Sequence, residues 1–159
     1  MCLQEYSTVP IIIGSEAVFV PENERAFPEL THEWKCYVKA TPGVLKTVQF
    51  RLHESFKNPY INVLQEPFQI SEKGWGEFTI QIKIILFNNE KINTNHYLKL
   101  HGSTYPLVSE RVDTIAYKGE AVPIDPGYMF EYVDDDEEYK RIDEGINYML
   151  ELLEDRKNK

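Results

Sequence analysis

Cysteine is scarce in this 159-residue chain, with Cys2 and Cys36 the only two. Cys2 sits at a terminus expected to fray, and Cys36 falls in an alternating strand pattern. The pair therefore offers no disulfide framework, and both are read as reduced thiols. Long apolar runs are missing too: none approaches the roughly 18 residues that a membrane span needs, and Met1 to Val9 lack the charged-then-apolar order of a signal peptide. The expectation is a soluble, intracellular protein with no membrane partner. An excess of positive charge is also absent, since 17 Lys and Arg face 26 Asp and Glu for a net charge of -9. Binding to a phosphate backbone rests on cations, so direct nucleic-acid binding is not expected. A basic partner fits better.

What the chain does have is aromatic and apolar substance: 42% hydrophobic residues, ten Tyr and eight Phe. A domain of this size buries roughly 70% of the surface its unfolded chain exposes and folds without staples. From Val9 to about Tyr117, short extended runs are separated by Pro, Gly and Asn, the pattern of an all-β sandwich. Trp34, Cys36 and Val38 alternate with Lys35, Tyr37 and Lys39. Val48, Phe50 and Leu52 do the same with Gln49 and Arg51, and Phe78, Ile80, Ile82, Ile84 and Leu86 with Thr79, Gln81 and Lys83. Each run has one core face and one wetter face. Val9 to Val20, kinked near Gly14, is the expected opening strand; Asn88 and Asn89 signal a turn into a return strand at Asn95 to Leu100; Val108 to Tyr117 closes the fold.

Composition then shifts. Three regions are expected: a sandwich over 1–120, a Pro/Gly-containing and acidic linker over 121–138, and an amphipathic helix over 139–157. In the last of these Tyr139, Ile142, Ile146, Met149 and Leu153 recur at helical spacing. From Glu131 to Lys159 eleven acidic and five basic residues give -6, leaving about -3 for the rest. The five carboxylates of Asp134 to Glu138 suit the start of a helix, where the dipole favours negative charge. A lone helix of this length is marginal in water. The stripe must pack on something.

Two loops carry the chemistry. The first is Leu52-His53-Glu54-Ser55-Phe56, at the end of one strand pattern; the second is Gly74-Trp75-Gly76-Glu77-Phe78, at the mouth of the longest. Neither is diagnostic alone. Glycine on both sides of Trp75 lets a backbone approach a ligand closely, yet it serves any tight turn as well. Taken together with Thr31-His32-Glu33-Trp34 and His96-Tyr97-Leu98-Lys99-Leu100, in this order and strand context, the loops resemble the YEATS family, and the resemblance covers about Val9 to Tyr117. Trp75 in its Gly-Trp-Gly-Glu-Phe string looks most like the branch found in histone acetyltransferase and variant-histone-exchange complexes.

The resemblance implies an Ig-like antiparallel β-sandwich and a non-enzymatic nuclear reader of acetylated or crotonylated lysine on histone tails, without cofactor or metal. It places the acyl-lysine site at His53, Ser55, Phe56, Gly74, Trp75 and Gly76. Phe56 and Trp75 would sandwich the flat acyl amide, the Trp75 N–H would donate to its carbonyl, and the Ser55 hydroxyl, oriented by His53, would accept from its N–H. Unmodified lysine would be desolvated there without compensation. Rim contacts are expected from His32, Glu54 or Glu77, with Glu72 as a further carboxylate. The C-terminal helix would join acetyltransferase or remodelling subunits.

Other readings of the same residues exist. His53 and Ser55 suggest a nucleophile and its base, but no nucleophile elbow or oxyanion motif accompanies them. His32, His53, His96 and His101 lack the spacing of a zinc site; His32 and His96 fit better as braces of loops or strands. Aromatics beside Glu54 and Glu77 would also suit a methylated lysine cation. A structural or histone-chaperone role, with the acidic tail as the working part, is the alternative outside the reader class.

Overall fold

A computed structural model describes residues 5–123 and four isolated positions, Ile146, Leu150, Glu151 and Glu154. Contacts divide the chain into two units, Met1–Met129 and Phe130–Lys159, and every strand below belongs to the first. Apart from those four positions, the expected helix over 139–157 lies outside the described residues, as do most of the linker over 121–138 and Cys2.

Eight antiparallel strands form two four-stranded sheets: β1 (Tyr6–Phe19), β2 (His32–Lys39), β3 (Leu45–Arg51), β4 (Tyr60–Val63), β5 (Phe68–Gly74), β6 (Thr79–Leu86), β7 (Lys91–Tyr97) and β8 (Leu107–Lys118). One sheet runs β5-β2-β1-β8 and the other β4-β3-β6-β7. Strict alternation builds the core between them, because successive side chains of a strand point to opposite faces. Val9, Ile11, Ile13, Trp34, Cys36 and Val38 come from the first sheet, and Val48, Phe50, Ile80, Ile82 and Ile84 from the second. The all-β sandwich expected from the sequence is what forms. One polar tie crosses this core, a 2.8 Å hydrogen bond between buried Ser15 on β1 and buried His96 on β7.

The strand map departs from expectation in four places. Strand β4 was not foreseen because Tyr60–Val63 is a partly exposed strand at the sheet edge, with no fully buried side chain. Strand β5 was missed because only Phe68 and Ile70 of its inward row are buried and apolar, the row then continuing through Glu72 to Gly74. The return strand begins at Lys91 and ends at Tyr97, earlier than predicted. Its buried residues Leu98 and Leu100 belong to the irregular segment that follows. The turn before it does use Asn88 and Asn89, and Asn89 takes the left-handed φ of 67° that asparagine tolerates. At Gly14, where a kink is expected, β1 keeps its pairing to both neighbours without a register shift. A Cβ there would stand 2.7 Å from Cγ of Glu110 and 2.8 Å from the hydroxyl of Tyr37, the side chains of its two cross-strand neighbours.

Candidate functional site

Both candidate loops emerge at one end of the sandwich. The first is closed at its base, where the Leu52 N–H donates to the Pro59 carbonyl at 2.7 Å, and folded at its tip, where the Phe56 N–H donates to the His53 carbonyl at 3.1 Å. Within that turn Nδ1 of His53 lies 2.9 Å from the Ser55 hydroxyl and 3.2 Å from the Ser55 backbone N. The backbone amide can only donate, so Nδ1 is the unprotonated nitrogen and the hydroxyl donates to it as well. The consequence is chemical. Ser55 Oγ has its proton committed to His53 and its lone pairs available to an incoming N–H.

The second loop is held by its neighbours. Gly74 is the last residue of β5 and pairs with His32. Beyond it, Glu77 accepts the Leu100 N–H at 3.1 Å, and the Leu98 N–H donates to the Phe78 carbonyl at 2.9 Å. Aromatic rings join the two loops: Phe78 lies 5.5 Å from Phe56, 6.3 Å from His53 and 5.9 Å from Trp34, while Trp34 meets Phe56 edge-on at 6.2 Å. Such tilted and T-shaped pairs are the favoured geometry between quadrupoles. Gly74 faces this cluster, since a Cβ there would sit 4.0 Å from the tip of the Phe56 ring.

The sequence-derived candidates thus separate. His53, Ser55, Phe56 and Gly74 come together around the ring cluster. Trp75 and Gly76 follow directly on Gly74, but the Trp75 side chain is 65% exposed, and its ring meets no other aromatic ring among the described residues. The Phe56 and Trp75 faces are therefore not stacked on each other. One rim expectation needs correction. His32 is buried: its ring bonds Thr31 Oγ1 at 2.7 Å and the Tyr105 hydroxyl at 3.0 Å, so it braces the loops instead of lining a rim. Burial, with His101 and Arg25 next, holds its pKa below the ordinary value. Glu77 is partly buried and accepts the Leu100 N–H with one carboxylate oxygen, Oε2. Of the rim candidates Glu54 stays exposed, and Glu72 is partly buried opposite Trp34. Trp34 and Phe78, part of the strings that carry the resemblance, are not among the expected site residues, although they tie the loops together. The one signal for Phe78 was its place directly after the Gly-Trp-Gly-Glu string.

The profile of the YEATS family matches residues 29–102. Among solved structures, the chain is similar to the Yaf9 YEATS domain recognizing an H3K122suc peptide, with a TM-score of 0.65 and 30% identity, over 74% of this chain and 89% of that one. The chain belongs to the YEATS family. A second structure, the Yaf9 YEATS domain bound to H3K27ac, matches with a TM-score of 0.64 and 31% identity, over 74% of this chain and 90% of that one. Among curated relatives, the protein AF-9 homolog of Candida albicans is 36% identical over 110 residues, which are 59% of this chain and 43% of the relative. The YEATS chain described here thus spans less than half the length of that relative. Its matched segment runs from just before β2 to just after β7, and so contains both candidate loops.

Proposed function

We propose that this YEATS domain reads acylated lysine on a histone tail. The observation that carries the proposal is the contact of Ser55 with Nδ1 of His53, whose ring borders Phe78: it draws the hydroxyl proton to the ring and leaves the Ser55 oxygen to accept. An acylated lysine ends in a flat neutral amide, one donor and one acceptor on an apolar face, and the loops offer the complement. Ser55 Oγ accepts from the amide N–H, the Trp75 N–H donates to its carbonyl, and Phe56 with Trp75 covers the two faces. The exposed Trp75 ring closes over the ligand, flanked by Gly74 and Gly76. An unmodified ammonium offers only donors and a charge to a site that already presents a backbone donor, and would be desolvated there without compensation. The relatives' structures with succinylated and acetylated histone peptides support the acyl assignment.

Histone tails are basic, and exposed carboxylates are available for their flanking residues, Glu54 in the first loop and Glu22, Glu24, Glu29 and Glu33 in the segment leading into and along β2. The same reading places the protein in the nucleus, as a binding subunit and not an enzyme. The stripe from Tyr139 to Leu153 is assigned to docking on acetyltransferase or remodelling subunits. Titrating acetylated, crotonylated and unmodified histone H3 peptides by calorimetry tests the central claim. Binding of the acylated peptides alone is expected. Equal affinity for the unmodified peptide would overturn it.

A further inference from the structure

The Gly74 carbonyl and the Trp75 N–H belong to one peptide unit, and the Thr31 side chain reaches it from the residue before β2. Thr31 Oγ1 stands 3.4 Å from that carbonyl oxygen and 2.7 Å from Nδ1 of His32. One hydroxyl proton thus faces two acceptors. The far side of the His32 ring decides between them. Nε2 lies 3.0 Å from the Tyr105 hydroxyl, and that hydroxyl gives its own proton to the Leu100 carbonyl at 2.7 Å, since a carbonyl can only accept. Toward His32 the Tyr105 oxygen is therefore an acceptor, and Nε2 carries the ring proton. In the neutral ring Nδ1 is then bare and takes the Thr31 proton. In the cationic ring Nδ1–H donates to Oγ1 instead, and the Thr31 proton turns to the Gly74 carbonyl.

We propose that Thr31 is a positioning residue for the acyl-lysine site, and that protonation of His32 turns its hydroxyl onto the Gly74 carbonyl and so strengthens the Trp75 N–H as a donor to the ligand. The proposal rests on the acyl-lysine reading and deepens it by tying that donor to a hydrogen-bond relay running from Tyr105 through His32 and Thr31. A carbonyl that accepts a hydrogen bond polarises its peptide unit, and the N–H of the same unit donates more strongly. His32 is neutral at pH 7.5. Burial holds its pKa below the ordinary value, followed by His101, whose ring meets it edge-on at 5.0 Å, and by Arg25, while Glu77 opposes them. Phe19 of β1 and Tyr105 bring only uncharged rings to it. The Thr31 contact therefore serves the ligand in acid and the His32 ring at neutral pH.

The direct test needs no ligand. In NMR spectra of the isotope-labelled full chain, the Trp75 amide is expected to move downfield as pH falls from 7.5 and the His32 ring protonates, and to stay in place in Thr31→Val. An amide that ignores His32, a shift that survives Thr31→Val, or a His32 ring that stays neutral until the chain unfolds overturns the proposal. With an acetylated histone peptide, the affinity ratio of wild type to Thr31→Val is expected to grow about two- to tenfold between pH 7.5 and the pH at which His32 is charged. That is the worth of strengthening one buried hydrogen bond by roughly 10 to 30%. Thr31→Ser keeps the wild-type profile, and the charge of His53, common to all three chains, cancels in the ratio. A constant ratio rejects the coupling to the ligand. Failure of every acylated peptide to bind wild type overturns the reader itself, while the amide shift still judges the relay. Should Thr31→Val not fold, Tyr105→Phe decides: without its acceptor the neutral ring moves its proton to Nδ1, Thr31 turns to Gly74, and the Trp75 amide takes its acid position already at pH 7.5. An unmoved amide in that variant rejects the relay.

Discussion

Ser15 and His96 meet at 2.8 Å across the core, one from each sheet, and both are buried. Burial first, and then the nearby Arg111 guanidinium, holds the His96 pKa below its ordinary value, and His32 is lowered by burial first as well. The unfolded chain takes up these protons at about pH 6.5, the folded chain only at lower pH. Their contribution to stability is therefore complete above about pH 6.5 and declines as pH falls from there through the folded values, levelling off below them. The urea midpoint is expected to drop between pH 7 and pH 5, and His96→Gln to start lower but drop less. An equal drop in both chains would remove His96 from the account.

Trp75 and Phe56 are both assigned to the ligand, but only one of them belongs to the fold. Trp75 is 65% exposed, whereas Phe56 packs against Trp34 and Phe78. Trp75→Ala is expected to abolish binding of an acetylated or crotonylated peptide with a stability change within about 0.5 kcal/mol, as for an exposed side chain. Phe56→Ala removes binding and about 1 to 3 kcal/mol of stability together, less than a fully buried Phe because the ring is partly exposed. Thermal melts beside peptide titrations separate the two. Matching stability losses would mean that Trp75 also packs in the free chain.

The contrast shows what the sequence could reveal. Alternation disclosed the core strands because inward positions such as Ile80, Ile82 and Ile84 are buried without interruption. It concealed β5, whose inward row runs from Phe68 and Ile70 into Glu72 and Gly74, since the site needs small and polar residues where a core strand needs bulk. The loop residues were legible as an ordered motif. Their division of labour was not: whether Glu77 faces a ligand or a backbone amide depends on Leu100, 23 residues away, and no local pattern encodes that bond. Trp34 looked like core, and it is core, but its place between Phe56 and Phe78 is a tertiary fact.

Gly14 supplies a stability test independent of the site. Tyr37 lies across it and donates to the Glu110 carboxylate, with burial and that bond both pushing the phenol pKa upward. A methyl at Gly14 would overlap both side chains. Gly14→Ala should cost about 1 to 3 kcal/mol, as overpacking does, and less in a Tyr37→Ala background. A cost unchanged by removing Tyr37 would place the strain elsewhere.

Cys36 is fully buried in β2, and burial pushes its thiol up to about 12. Alkylation needs an accessible thiolate. Iodoacetamide at pH 8 is expected to leave the Cys36 peptide unmodified in the native chain and to label it in urea, as read by mass spectrometry. Rapid native labelling would mean that β2 opens readily.

The His53 and Ser55 side chains should act as one unit. If the ring serves only to draw the Ser55 proton and free its oxygen, removing either side chain leaves the ligand N–H unpaired, at about 1 to 3 kcal/mol of binding energy. Ser55→Ala and His53→Ala should then each weaken acetyl-peptide binding by roughly five- to 150-fold, the same range expressed as a ratio. Removing both should cost little more than removing one, leaving a coupling energy close to the smaller single effect. Additive losses would show that His53 contacts the ligand in its own right. The His53 ring also sits 6.3 Å from Phe78, so part of its loss could arise from a shifted loop. His53→Asn, which can present a carbonyl oxygen to the Ser55 N–H and hydroxyl, checks this. Partial recovery with Asn, together with a coupled double mutant, assigns the effect to the hydrogen bond and not to ring packing.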